Sequence, residues 1–268
     1  MSGNTNTMRI VIIGDSIAEG LGVKNLSYGD QLRAQIEETG SKATLLNLSH
    51  TGYQISDSYK LLPVAFSFTP DFVVVAHGIT EAIVRPKRKA MRFVPLRWRQ
   101  KGWLDPRPYY SRRILKRLPQ QIESALRWRW KNCLIRSFGG ETWTSQTDFS
   151  DAVDGFIHAL LSQTTAQIIL LTQCGLDERF YPGSPASLRE YQTIVERIAL
   201  SHQSSARVHV CDVSQKLEKW DDFFVDRFHP NVMGHRKIAH ALFDLIGKAS
   251  CPGLFLGARF RAFGMNNA

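Results

Sequence analysis

The chain has 268 residues, a formal net charge of +10 and 43 % hydrophobic residues. That length suits one large domain or a domain with a sizeable insertion, and the apolar content excludes disorder. No apolar run approaches about 18 residues, which excludes a membrane-spanning helix, and the polar, uncharged stretch 1–7 lacks the features of a secretory signal, so a cytoplasmic protein is expected.

Residues 8–13 form a β-branched run that stops at Gly14 and reads as a buried strand. In residues 27–38 the apolar Tyr28, Leu32 and Ile36 recur at every fourth position, one face of a helix that ends at Gly40. Residues 43–48 read as a second strand and 55–66 as a helix. Pro70 and Asp71 introduce a third strand, 72–76, whose continuous apolar character suits burial on both faces. After Gly78 the alternation breaks off. It resumes with a helix at 148–162, which carries Phe149, Val153, Phe156, Ile157 and Leu160 near one side. A strand at 167–171, a helix at 188–201, a strand at 208–211 and a helix at 232–246 complete the chain. Strand then helix, five times over, predicts a parallel sheet covered on both faces. Ligands of such sheets bind at the C-terminal strand ends, where the strand order reverses.

The interruption has its own composition. From residue 85 to 131 there are 16 Lys and Arg against Asp105 and Glu123 alone, a net of +14, so the rest of the chain carries −4. Trp98, Trp103, Trp128 and Trp130, four of the six tryptophans, fall here too. The expected organisation is one domain over 1–268 with a basic insertion at 85–147. Within it Ile122, Leu126, Trp130, Cys133 and Leu134 follow helical spacing, while Arg127, Arg129 and Lys131 fall largely to other sides. Three readings stay open. One is a lid whose tryptophans pack inward while its arginines face water. Another is recognition of an anionic glycan or lipid, or peripheral contact with a membrane surface. The third is nucleic acid, which no motif supports.

Cys133, Cys174, Cys211 and Cys251 form no C-x-x-C pair and read as idle thiols. His235 and His240 stand five apart on a helix and share no metal-binding face well, so no metal and no cofactor are expected. No G-x-S-x-G elbow, phosphate-binding P-loop or dinucleotide fingerprint occurs.

Two separated motifs carry chemistry. Gly14-Asp15-Ser16 places a serine on the loop after the first strand. Asp226-Arg227-Phe228-His229 lies between the last strand and the last helix, on the same sheet edge. An Asp and a His three apart can put the carboxylate on one ring nitrogen and leave the other for the serine, the arrangement that acyl transfer requires.

Together these motifs resemble the SGNH/GDSL hydrolase superfamily. Residues 14–22 look like its first block, and Asp226-x-x-His229-Pro230 with Gly234-His235 looks like its last. The resemblance covers 8–84 and 148–247. It implies a flavodoxin-like three-layer α/β/α sandwich with a five-stranded parallel sheet. It also implies a serine esterase acting on acyl or acetyl esters of carbohydrates, lipids or small molecules, with Ser16, Asp226 and His229 as the triad. The alternatives are an O-acyltransferase using the same triad on a glycan acceptor, or a catalytically weak binding protein of the same fold. Gly52 falls where the family keeps a glycine whose N–H joins that of Ser16 in the oxyanion hole. The family's third block reads Gly-x-Asn-Asp, with the Asn completing the hole. Here it is Gly78-Ile79-Thr80-Glu81. Thr80 is expected to fill that role poorly, with His77 or His50 as possible substitutes, and losing one such donor typically costs about 10²–10³ in rate. Asp15, His77, Gly78 and Glu81 are expected around the pocket.

Overall fold

A computed structural model of the protein describes residues 7–100, 102–172 and 175–250. Strand β1 (Met8–Gly14) leads into the one-turn helix α1 (Ser16–Glu19). Then come α2 (Tyr28–Glu38), β2 (Ala43–Asn47), the short helices α3 (Ile55–Ser58) and α4 (Leu62–Ser67), and β3 (Phe72–Ala76). After α5 (Ile79–Ala82), strands β4 (Arg85–Pro86) and β5 (Gly140–Glu141) flank the long helix α6 (Ile114–Phe138). The chain continues through α7 (Gln146–Gln163), β6 (Gln167–Thr172), α8 (Ser184–Ser201), β7 (Val208–Asp212) and α9 (Val232–Ser250).

The main sheet has the order β2-β1-β3-β6-β7, and every pairing in it is parallel. Its central strands are buried on both faces, with Ile10 to Ile13, Val73, Val74, Ile168 and Ile169 fully inaccessible. The parallel connections are of the kind that run right-handed, so that α2 covers one face and α7 and α8 the other. Helix α9 packs on α2, and α7 packs on α8, giving three layers. Chain progression reverses between β1 and β3, so the loops after these strands diverge and open a crevice at their C-terminal ends.

The expected helix at 55–66 is two helices joined by a 3₁₀ turn at Tyr59–Leu61. Pro63 in the first turn of α4 has no N–H to continue a ladder from α3, which accounts for the break. Helix α8 starts earlier than its apolar period showed, at Ser184, behind Gly183 in the left-handed conformation and with Pro185 in its first turn.

The insertion is fastened at its neck by the antiparallel β4–β5 ribbon, where Arg85 faces Glu141 and Pro86 faces Gly140. Inside it Ala90, Val94, Leu104 and Leu134 form a separate small apolar cluster. Helix α6 is longer than the spacing of residues 122–134 predicts, and it faces the other way. Ile122, Leu126 and Trp130 are exposed, whereas Arg127 and Lys131 are buried. Over this stretch of α6 the expectation of apolar residues inward and cations outward is corrected, although most arginines of the insertion do face solvent. The physical reason is Asp105, whose Oδ1 accepts from Lys131 Nζ at 2.6 Å and whose Oδ2 accepts from Arg85 Nη2 at 3.3 Å. A buried carboxylate shared by two cations turns the charged side of the helix inward. Burial would raise the Asp105 pKa, but Lys131 and Arg85 outweigh it and hold the carboxyl below its usual range.

Candidate active site

Strand β1 delivers Ser16. At Gly14 the chain passes so close to β3 that a Cβ would lie 2.7 Å from the carbonyl oxygen of Ala76, so no larger residue fits. Asp15 caps α1 by accepting from the Ile17 N–H at 2.9 Å, which fixes Ser16 in the first turn.

His229 arrives from the other end of the chain. In the loop 226–229 Arg227 adopts a left-handed backbone (φ 54). Its guanidinium donates to the carbonyls of Lys219 and Trp220 at 3.1 and 3.0 Å, which holds this strained turn. The turn sets Asp226 Oδ2 2.6 Å from His229 Nδ1, and Asp226 Oδ1 accepts from the N–H groups of Phe228 and His229. His229 Nε2 lies 2.9 Å from Ser16 Oγ. All three side chains are at least nine-tenths buried. Asn231 caps α9 by accepting from the N–H groups of Met233 and Gly234. His235 works in the scaffold: its Nδ1 accepts from the Tyr28 N–H at 3.1 Å, tying α9 to α2, and burial pushes its pKa down to about 4.

Gly52 lines the same cavity as Ser16, with φ +77, and its N–H has no hydrogen-bond partner among the described residues. Glu19 holds this loop by accepting from the Thr51 N–H at 2.6 Å. Thr80 also lines the cavity, but its Oγ donates to Asp15 Oδ2 at 3.0 Å. The hydroxyl is thus engaged with the loop that carries the serine.

Asp15, His77, Gly78 and Glu81, expected around the pocket, form the layer beneath it and do not line it. His77 Nε2 pairs with Ser58 Oγ at 2.9 Å, and burial pushes its pKa down to about 3, so the ring is neutral. Glu81 accepts from the N–H groups of Ile55 and Gly78 at 2.7 and 2.9 Å. Burial still pushes its pKa up to about 7. His50, the other possible donor, is exposed and leans on Tyr53.

Above the serine lies a cavity of about 650 Å³. The fold supplies Ser16, Gly52, Thr80 and His229. The insertion supplies Trp103, Asp105, Arg107 and Arg127. Tyr181, also on the wall and fully buried, belongs to the segment before α8. Motif reading missed Arg127 and Tyr181. The basic run flagged the region, but no spacing marked which of its 16 cations turn inward. Among the described residues no cluster of three His, Cys, Asp or Glu could hold a metal ion, and no helix is long and apolar enough to cross a membrane. Cys133 is exposed and Cys211 buried, while Cys174 and Cys251 lie outside the described residues.

The solved structures similar to this chain share its fold at low identity. The α/β hydrolase LAE5 from the metagenome of Lake Arreo, Spain, is 17 % identical with a TM-score of 0.57, over 91 % of this chain and 95 % of that one. The lipase/acylhydrolase from Enterococcus faecalis is 18 % identical at 0.57, over 89 % and 95 %. The acetyl xylan esterase AlAXEase is 15 % identical at 0.57, over 89 % and 100 %. A search of curated protein sequences gave no match. The profile of the GDSL-like lipase/acylhydrolase family matches residues 12–237, a span that starts in β1, takes in both motifs and ends in α9. With that match over most of its length, the chain belongs to the GDSL-like lipase/acylhydrolase family and is a carboxylic ester hydrolase.

Proposed function

We propose that the protein cleaves an acyl or acetyl ester of a carbohydrate, lipid or small molecule through an acyl-Ser16 intermediate. The observation that carries this is the hydrogen-bonded chain Ser16–His229–Asp226. Asp226 Oδ2 accepts the Nδ1 proton, which leaves the Nε2 lone pair for the Ser16 hydroxyl proton. As Oγ attacks the ester carbonyl, His229 takes that proton, and Asp226 stabilises the imidazolium. The proton then goes to the departing alcohol. Water, deprotonated by His229, releases the acid. The backbone N–H groups of Ser16 and Gly52 face the developing oxyanion, and the Thr80 hydroxyl, bonded to Asp15, contributes little. A carbohydrate acetyl ester is one candidate substrate, since the AlAXEase neighbour is named as an acetyl xylan esterase.

The test is hydrolysis of p-nitrophenyl esters from acetate to octanoate. Ser16→Ala should lower kcat by up to about 10⁶. Equal activity in both proteins would remove Ser16 as nucleophile. Thr80→Ala should lower kcat less than about tenfold, and a loss of about 10²–10³ would show that its hydroxyl turns to the oxyanion after all.

One exposed surface bears on partners. Along α6 Leu115, Leu118, Ile122, Leu126 and Trp130 stand three or four residues apart, and all are exposed. Arg112, Arg113, Lys116 and Arg117 are exposed at the same end. An apolar stripe flanked by cations fits the boundary of an anionic membrane, with the stripe among acyl chains and the cations at headgroups. This extends the reading of residues 85–147 as an insertion that borders both the cavity and the lipid.

A further inference from the structure

The cavity wall contributed by the insertion holds more cations than its own carboxylate serves. Arg85, Arg107 and Arg127 line it, against Asp105 of the insertion and Asp57 of the fold. Two cations of this region are fully engaged. Arg85 reaches Asp105, donates to the carbonyls of Ile83 and Thr80, and stacks on the Trp143 ring at 3.3 Å. Lys131, behind the wall, takes the other Asp105 oxygen.

Arg127 is different. It is 3 % exposed, and among the described residues it makes no hydrogen bond and no ion pair; its Nε is buried without a partner. Its guanidinium carbon lies 5.0 Å from the Trp103 ring, and Glu123 and Asp105 act on its charge only through space, without a hydrogen bond. Arg107 beside it holds Glu123 only loosely, at 3.4 Å, and its Nε is also buried without a partner. A buried guanidinium cannot shed its charge at any ordinary pH, so leaving it without a hydrogen-bonded counter-charge is costly unless one arrives. The place from which one can arrive is the cavity it lines together with Ser16 and His229.

We propose that the substrate carries an oxyanion, a carboxylate or a phosphate monoester, apart from the ester that is cleaved, and that Arg127 binds it with Arg107 at the rim. This rests on the esterase reading above for the bond that breaks. The planar fork of Arg127 suits two parallel bonds to such a group, and the Trp103 face beneath fixes its plane. Arg127 is a binding residue here and takes no part in proton transfer.

Matched esters test this. 4-Acetoxybenzoate is compared with its neutral methyl ester, 4-acetoxyphenyl phosphate with its dimethyl ester, and the mono-4-nitrophenyl ester of succinate with 4-nitrophenyl butyrate. The three pairs distinguish carboxylate from phosphate, and the alcohol side from the acyl side. For at least one pair at low ionic strength, Arg127→Met should lower the ratio of kcat/KM, anionic over neutral, at least tenfold relative to wild type. Arg127→Lys should keep part of the ratio, and salt should erode it in the wild type. Arg107→Met, at the half-exposed rim, should lower the ratio less and gives a second reading should Arg127→Met fold poorly. Ratios unchanged in both methionine variants, with Ser16-dependent turnover of the neutral esters intact, would overturn the oxyanion site and leave the esterase standing. If no ester is turned over in a Ser16-dependent way, the esterase reading fails instead. Calorimetry with 4-hydroxybenzoate and phenyl phosphate then decides the site alone: binding that Arg127→Met abolishes keeps it, and binding that is absent or equal in the variant removes it.

Discussion

In the sheet, Ile12, Val74 and Ile169 lie side by side with no accessible surface, whereas in α6 the buried residues include Lys131 and Arg127 while Leu115 and Leu118 stand in solvent. The loops at the edge of the sheet and helix α6 both contribute walls to one cavity. The sheet is ordered by apolar burial, which needs no particular partner and tolerates neighbours of similar size. The buried side of α6 is ordered largely by polar contacts, with the carboxylate of Asp105 shared between Lys131 and Arg85 and Asn132 bonded to the Arg179 carbonyl. The first kind of order makes a rigid edge on which a serine and a histidine can meet. The second leaves charge beside that edge.

This contrast can be broken at several points. The largest effect is expected where the sheet edge does chemistry. Asp226→Asn should leave the loop in place but favour the wrong ring tautomer of His229, lowering kcat by about 10⁴ in the p-nitrophenyl assay. A loss under tenfold would mean that Asp226 does not orient His229. Next comes the carboxylate that organises the insertion. Asp105→Asn strands two buried cations and should cost about 3–5 kcal/mol by urea unfolding. Adding Lys131→Met to that variant should restore part of the loss. For scale, Ile169→Ala in the sheet should cost about 2–5 kcal/mol through its cavity. If Asp105→Asn is nearly silent, α6 is not held by charge.

A third experiment uses pH. The Glu81 pKa is pushed up to about 7 from an ordinary value of 4.5, so between these values the folded state binds more protons than the unfolded one. Its contribution is therefore fully present below about pH 4.5 and is lost as pH rises through about 7. His77 and His235, pushed down to about 3 and 4, act in the opposite sense as pH rises toward their ordinary value of 6.5. The clean readout is the difference between wild type and Glu81→Gln. The wild type should lose up to about 3 kcal/mol relative to the variant from pH 4.5 to 7.5. A flat difference would place Glu81 at an ordinary pKa. The smallest effect on stability is expected on the outer side of α6, where Leu118→Glu should change unfolding by less than about 0.5 kcal/mol. The same change should weaken sedimentation with phosphatidylglycerol vesicles several-fold, and phosphatidylcholine vesicles should bind little in either protein. Binding that ignores both the charge of the vesicle and Leu118→Glu would remove the membrane reading.

The two regions also differ in how far the sequence announces them. Continuous runs such as Phe72–Ala76 admit few structures other than a buried strand, so the sheet was legible. So were the two motifs: Gly14-Asp15-Ser16 closes the first strand, and Asp226 to His229 lies in the loop that leads into the last helix. Helix α6 was half legible. Helical spacing places Leu118, Ile122 and Leu126 on one stripe, but spacing does not say whether that stripe faces core or solvent. The answer lay in Asp105, 26 positions before Lys131, and no local pattern links them. The Thr80–Asp15 bond spans 65 positions and was invisible for the same reason. Short-range rules read periodicity, and long-range pairing of charges escapes them.

Ser16 and His229, its proposed base, are separated by 213 positions. At ordinary rates of protein synthesis, 5–20 residues per second, roughly 10–40 s pass between the making of the nucleophile and the making of the group that activates it. Through that interval the nascent chain carries an inert serine, since its hydroxyl has no base to take its proton. If His229 is the base, as proposed, ester-cleaving power appears only when the loop that carries it closes against the first strand. On the proposed mechanism, activity reports that synthesis has passed His229 and that its loop has met the first strand, and a chain stopped before His229 would be silent however well its sheet had formed.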